Sequence, residues 1–253
     1  MLSLSIYWIG LALEALLLVR AFRGSLAFRY PVFYGYISFI LLQDLVRFVA
    51  HGWRPGLYPS LYWTTEFVAM LFGCAVVFEI YRLGLSSYPG TARMARKLLM
   101  FVFAVAMVGA IASAWNDPRW WVEAATTDIE GALRAVQAVA IVALIALFLC
   151  YVIPFGRNLR GILLGYGFFV AWNVASLPLV SSASSGFHHL LSSVYPVSYF
   201  VVLCFWLVHL WSYHPVPQSQ TNIRLEQDYQ TLAAATHRRL QGARGYLAKA
   251  VRP

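Results

Sequence analysis

Seven stretches of about twenty apolar residues run through this 253-residue chain, at about 2–22, 31–50, 58–81, 98–115, 134–154, 161–180 and 192–212. An α-helix rises 1.5 Å per residue, so roughly 20 residues cross the ~30 Å of hydrocarbon in a bilayer. Hydrocarbon offers no hydrogen bonds, so only helices and closed β-barrels satisfy their backbone while spanning it. These runs lack the alternation of polar and apolar residues that a barrel strand needs. The expected fold is therefore an all-α integral membrane protein, a bundle of seven transmembrane helices. Composition agrees: 60% of residues are hydrophobic and 11% charged, more apolar surface than a soluble domain of this size can hide.

The basic residues set the expected orientation. Fifteen of the nineteen Lys and Arg residues fall on one side of the seven runs: Arg20, Arg23, Arg29, Arg82, Arg93, Arg96, Lys97, Arg157, Arg160 and six in the tail. Short cytoplasmic loops carry such an excess, which puts the N-terminus outside and the C-terminus in the cytoplasm. The net charge of +9 is then a topology signal with some attraction to anionic lipid, not a sign of nucleic-acid binding. Residues 1–22 lack the basic start of a cleavable signal, so the first span is expected to be retained. The expected home is the cytoplasmic (inner) membrane of a bacterium.

The chain divides into a transmembrane domain over 1–214, a Pro-rich hinge over 215–221 and a cytoplasmic tail helix over 222–253. In the tail, Leu225, Tyr229, Leu232, Thr236, Leu240, Ala243 and Leu247 recur every three or four residues. That is the spacing of an amphipathic helix, which could lie on the inner leaflet, dock a cytoplasmic partner or self-associate through 222–250.

An internal echo suggests a 3+1+3 parallel repeat. Gly35-Tyr36, Phe39 and Gln43 are matched in spacing by Gly165-Tyr166, Phe169 and Asn173, and Tyr58-Pro59 with Tyr62 by Tyr195-Pro196 with Tyr199. Transporters of the SWEET type use this plan, although no proline-glutamine pair characteristic of them is present. Interfacial tyrosines and helix-opening prolines also recur at membrane entries for ordinary reasons.

Ionisable residues inside the spans are costly in lipid and tend to face a bundle interior. Here they are Glu14, Asp44, Arg47, Glu66 and Glu79, with Glu130 and Arg134 at the start of the fifth span. From the rise per residue, Asp44, Arg47, Glu66, Arg134 and Asn173 share one layer in the outer half of the bundle, within roughly 5–12 Å of its surface. This layer is read either as a ligand pocket or as a salt-bridge lock. In the pocket reading, Arg47 and Arg134 hold an anion or carboxylate, Asp44 and Glu66 accept from a cation or donor, and Gln43, Asn173, Tyr62 and Tyr199 orient the ligand. In the lock, the acids neutralise the arginines pairwise. Glu14, near mid-span without a basic partner at its depth, is read as a proton site or a hydrogen-bonded packing group. Glu79 is expected to pair with Arg82 one turn later.

Several chemistries find no residues to carry them. Retinal needs a lysine inside the bundle, and Lys97 and Lys249 both lie in cytoplasmic segments, so no cofactor is expected. There is no HExxH, GxSxG, P-loop or dinucleotide fingerprint, and the three cysteines are scattered singly through apolar runs. The chain resembles seven-helix receptors in outline only. The reading is a non-enzymatic, receptor-like membrane protein that binds a small polar ligand from outside and signals through its tail. The alternatives are a small proton-coupled transporter and a structural subunit of a larger membrane complex.

Overall fold

The computed structural model describes the backbone of residues 2–86, 88–115, 122–151, 156–182 and 185–214 and a few positions between 227 and 236. Side chains are described over a narrower set, which leaves out 113–130 and 177–196. Among the described residues the structure is helical, without strands. The elements are α1 (Leu2–Arg23), α2 (Leu26–Arg29), α3 (Pro31–Trp53), α4 (Tyr58–Gly84), α5 (Pro89–Trp115), α6 (Val122–Tyr151), α7 (Arg157–Ser182) and α8 (Ser185–His209).

The expected apolar runs fall inside α1 and α3–α8 to within a few residues, but three helices begin well before their run. Helix α5 starts at Pro89, α6 at Val122 and α8 at Ser185, because polar turns extend each helix beyond its apolar stretch. Among the described residues three helices, Pro31–Trp53, Tyr58–Gly84 and Gly131–Cys150, are long and apolar enough to cross a membrane, and only 33–39% of their apolar windows is buried in the fold. Exposed Leu42, Val46, Val49, Leu71, Val139 and Val142 make up part of the remainder. Such faces are stable against lipid and not against water.

Local sequence explains the corners. Pro31 and Pro59 stand in the first turns of α3 and α4, where a missing N–H costs nothing and the fixed φ suits a helix. Between α1 and α2 the chain reverses at Gly24-Ser25, where Ser25 takes the left-handed conformation at φ 56° and Gly24 N–H donates to Arg20 O at 2.9 Å.

The packing is a ring. Helix α1 lies against α3, α3 against α4, α4 against α6, α6 against α7, α7 against α8, and α8 returns to α1. Helix α5 packs outside this ring, on α4 and α6. Inside the ring Leu17, Phe33, Ile37, Ile80, Leu133, Tyr166 and Trp206 are fully buried. Phe33 meets the edge of Trp206 at a centroid distance of 5.0 Å, which ties α3 to α8.

Two polar corners fasten the arginine-rich end. Glu79, on α4, accepts from the N–H groups of Val32 at 3.0 Å and Phe33 at 2.8 Å. These are among the donors that the first turn of α3 leaves unpaired, and a carboxylate there also complements the helix dipole. Glu79 is thus bonded to the helix terminus, with the expected partner Arg82 acting on it through its charge at longer range. At the matching corner Asn158, on α7, donates Nδ2 to His209 O and Ser212 O and accepts from His214 N–H. Nearby, Arg20 donates to Trp211 O and Arg29 to the Tyr213 hydroxyl, each guanidinium also lying over the ring of its partner.

The hinge over 215–221 lies outside the described residues, as does most of the tail. Of the tail, Gln227, Gln230, Thr231, Leu232, Ala234 and Thr236 are described as helical, with Leu232 exposed.

Candidate functional site

The ionisable layer comes together at one carboxylate. Glu66 sits two turns into α4, roughly 12 Å from its start. Its Oε2 meets Arg47 Nη2 at 3.2 Å, and its Oε1 meets Arg134 Nη2 at 3.1 Å. Helices α3 and α6 are thereby joined through α4. Among the described contacts, both guanidinium groups meet the same acid.

Arg47 is held further. Its Nε and Nη2 donate to Thr65 Oγ1 at 2.8 and 2.6 Å, Nη2 donates to Tyr62 O at 2.9 Å, and the guanidinium lies 4.4 Å over the Tyr62 ring. A planar fork matched to fixed acceptors and stacked on a ring has its geometry set by the fold. Arg47 and Tyr62 therefore form a brace between α3 and α4.

Beside the brace opens a cavity of about 270 Å³, the liquid volume of about nine waters at ~30 Å³ each. Its polar lining is Gln43, Asp44, Glu66, Arg134 and Gln137, its aromatic lining Tyr36, Tyr166, Phe169 and Tyr199, and its aliphatic lining Ile40, Ala69 and Met70. The four rings form a connected arc, with centroid separations of 6.0 Å from Tyr36 to Tyr166, 6.3 Å from Tyr166 to Phe169 and 5.7 Å from Phe169 to Tyr199.

The floor is a satisfied network. Tyr166 donates its hydroxyl proton to Gln137 Oε1 at 3.1 Å, and Gln137 Nε2 donates to Met70 O at 3.4 Å and contacts Cys74 Sγ at 3.2 Å. Helices α4, α6 and α7 meet there because Gly73 has no side chain. A Cβ at that position would collide with the Tyr166 hydroxyl and crowd the Gln137 amide.

A buried acceptor of the lining is left unsatisfied. Gln43 is 6% exposed, and its Oε1 has no hydrogen-bond partner. A buried polar atom without a partner costs about 1–3 kcal/mol, and this one borders the empty space. Asp44 stands beside it, half-buried, with its own carbonyl accepting from the Tyr7 hydroxyl at 2.8 Å.

Behind the wall, Tyr199 donates to Glu14 Oε1 at 2.6 Å, so Glu14 has the hydrogen-bonded neighbour expected of it. The carboxyl is 1% exposed, and Oε2 has no partner.

Of the residues singled out from the sequence, Gln43, Asp44, Glu66, Arg134 and Tyr199 line the cavity. Arg47 and Tyr62 stand one layer behind it. Asn173 is buried and donates Nδ2 to Phe169 O at 2.7 Å in its own helix. The sequence reasoning did not assign Tyr36, Tyr166 and Phe169 to a site, although all three belong to the repeated Gly-Tyr and Phe pattern.

Among the described residues no group of three or more His, Cys, Asp or Glu is arranged to hold a metal. His51 faces the Tyr58 ring at 5.2 Å, whereas the side chains of His188 and His189 lie outside the described residues. The cysteines Cys74, Cys150 and Cys204 are free. No family model, no curated protein and no solved structure matches this chain.

Proposed function

We propose that this chain is a seven-span, receptor-like protein of a bacterial cytoplasmic membrane, with its N-terminus outside. It takes a small polar ligand into the cavity between α3, α4, α6, α7 and α8, and it signals through its tail. One observation carries this reading: the cavity lined by Gln43, whose buried Oε1 has no hydrogen-bond partner, together with four other polar side chains. A fold with no use for the space would gain by filling it with a larger side chain at Ala69 or Met70. Orientation rests on the basic residues, and it puts the cavity in the outer half, far from the arginine-rich end.

The test is a thermal-unfolding screen of the full chain in lipid discs against small amines, amino acids, carboxylates and sugars. At least one class is expected to raise Tm in the wild type and not in Ala69→Phe, which fills the cavity. A silent screen would remove the ligand reading and leave a structural subunit.

The ring favours a second reading. Exchanging α1, α3 and α4 for α6, α7 and α8 reproduces each ring contact, and it brings the equivalent Tyr36 and Tyr166 face to edge at the cavity. Parallel repeats with a site at their interface are a transporter plan, and Glu14 would be its proton site. Uptake of the bound compound into proteoliposomes separates the two: a transporter accumulates it, whereas a receptor binds without moving it.

A further inference from the structure

The charges around the cavity narrow the kind of ligand it accepts. Three carboxyl groups, Glu14, Asp44 and Glu66, share this region with two guanidinium groups, Arg47 and Arg134. Glu66 engages both guanidiniums at 3.1–3.2 Å. An incoming carboxylate would have to compete with Glu66 for them. Arg47, three residues after Asp44 and the cation nearest to it in sequence, is turned onto Thr65, Tyr62 O and Glu66.

Next to this brace the lining offers acceptors. Gln43 Oε1 is buried and unpartnered, and Asp44 borders the same space. An amide can rotate to present either end, so Gln43 alone does not fix the sign of the ligand; the Asp44 carboxylate does. The remaining wall is the connected arc of Tyr36, Tyr166, Phe169 and Tyr199. Aromatic faces attract cations through their quadrupole, most strongly where water is excluded. An acid, an open acceptor and an aromatic wall around a space of about 270 Å³ match an alkyl- or arylammonium ion.

We infer that the cavity is a site for a small organic amine, held as its ammonium ion by Asp44 and Gln43 Oε1 against the arc of aromatic rings. This rests on the ligand-binding reading above and specifies it. It reverses the role assigned to the arginines from sequence: they position Glu66 and shape the site, and the acids recognise the ligand.

The experiment compares three probes of matched shape, 2-phenylethylammonium, phenylacetate and 2-phenylethanol, by the Tm of the full chain in lipid discs at neutral pH. Only the ammonium probe is expected to raise Tm, and Asp44→Asn should weaken its half-saturating concentration at least about tenfold, about 1.4 kcal/mol. Stabilisation by phenylacetate alone overturns the inference in favour of an anion on Arg134 while leaving a ligand site in place. Equal stabilisation by 2-phenylethanol shows simple apolar filling and also overturns it. If none of the three probes acts, the amine inference falls, and the ligand reading falls with it only if the broader screen is silent too. The comparison of probes in the wild type stands even if Asp44→Asn fails to fold.

Discussion

Tyr199 on the last long helix donates its phenolic hydrogen bond to Glu14 on the first, at 2.6 Å across 185 residues of sequence. This bond sits where α8 closes the ring onto α1. Tyr199 also lines the cavity, so one side chain serves both the closure and the site. Tyr199→Phe removes the only hydrogen bond described for the Glu14 carboxyl. It should lower stability by about 1–3 kcal/mol, the cost of a buried group left unsatisfied. Adding Glu14→Leu should restore most of the loss, because an apolar pair needs no partner. Thermal unfolding of the two single variants and the double variant reads the coupling directly.

Glu66 is the hub of the ionic brace, and the ranking of its neighbours follows. Glu66→Gln leaves two largely buried guanidiniums without their acid and should cost about 3–5 kcal/mol. Arg47→Met should cost less, because Glu66 keeps Arg134 and the methionine fills the space over Tyr62. Equal losses in the two variants, measured by chemical or thermal unfolding, would contradict a shared acid.

Helix α3 begins on a carboxylate borrowed from α4. Glu79→Ala takes the acceptor from Val32 N–H and Phe33 N–H together, and it should destabilise by about 1–3 kcal/mol. Glu79→Gln retains one acceptor oxygen and should recover about half of that. Hydrogen exchange at the first turn of α3 is the local readout, with faster exchange expected in the alanine variant.

Glycines mark close approaches. At Gly165 a Cβ would overlap the Trp206 indole, whereas at Gly109 it would meet open space. Gly165→Ala should therefore cost about 1–3 kcal/mol through overpacking. Gly109→Ala should be neutral or stabilising by up to about 1 kcal/mol, from helix propensity. Matched Tm values for the two variants would mean that α7 and α8 are not packed this closely.

Orientation has its own test. With the three native cysteines replaced by alanine, Arg54→Cys in intact cells should react with a membrane-impermeant maleimide. Arg93→Cys should react only after the cells are opened. The reverse labelling pattern would invert the topology and move the cavity to the cytoplasmic half.

Helix positions were readable from the sequence because a 20-residue apolar run is a strong and local signal. The layer of Asp44, Arg47, Glu66 and Arg134 was readable for a related reason, since depth along a helix is simple arithmetic once the ends are known. Which acid meets which base was not. Rotation of each helix decides that, and it placed Glu66 between both arginines and left Asp44 to the cavity. Asn173 has the right depth, and its amide also bonds Phe169 O one turn back, a contact that depth alone does not foretell. Tyr36 and Tyr166 were noticed as an echo and not as a wall, since nothing local says that two similar helices face each other.

Closure of the ring by Tyr199 has a consequence for biosynthesis. Glu14 leaves the ribosome 185 residues before its partner does. At about 5–20 residues per second, that is an interval of about 10–40 s. During that time the Glu14 carboxyl has no Tyr199 to bond, so the closure of α1 onto α8 is the last contact of the ring to become available.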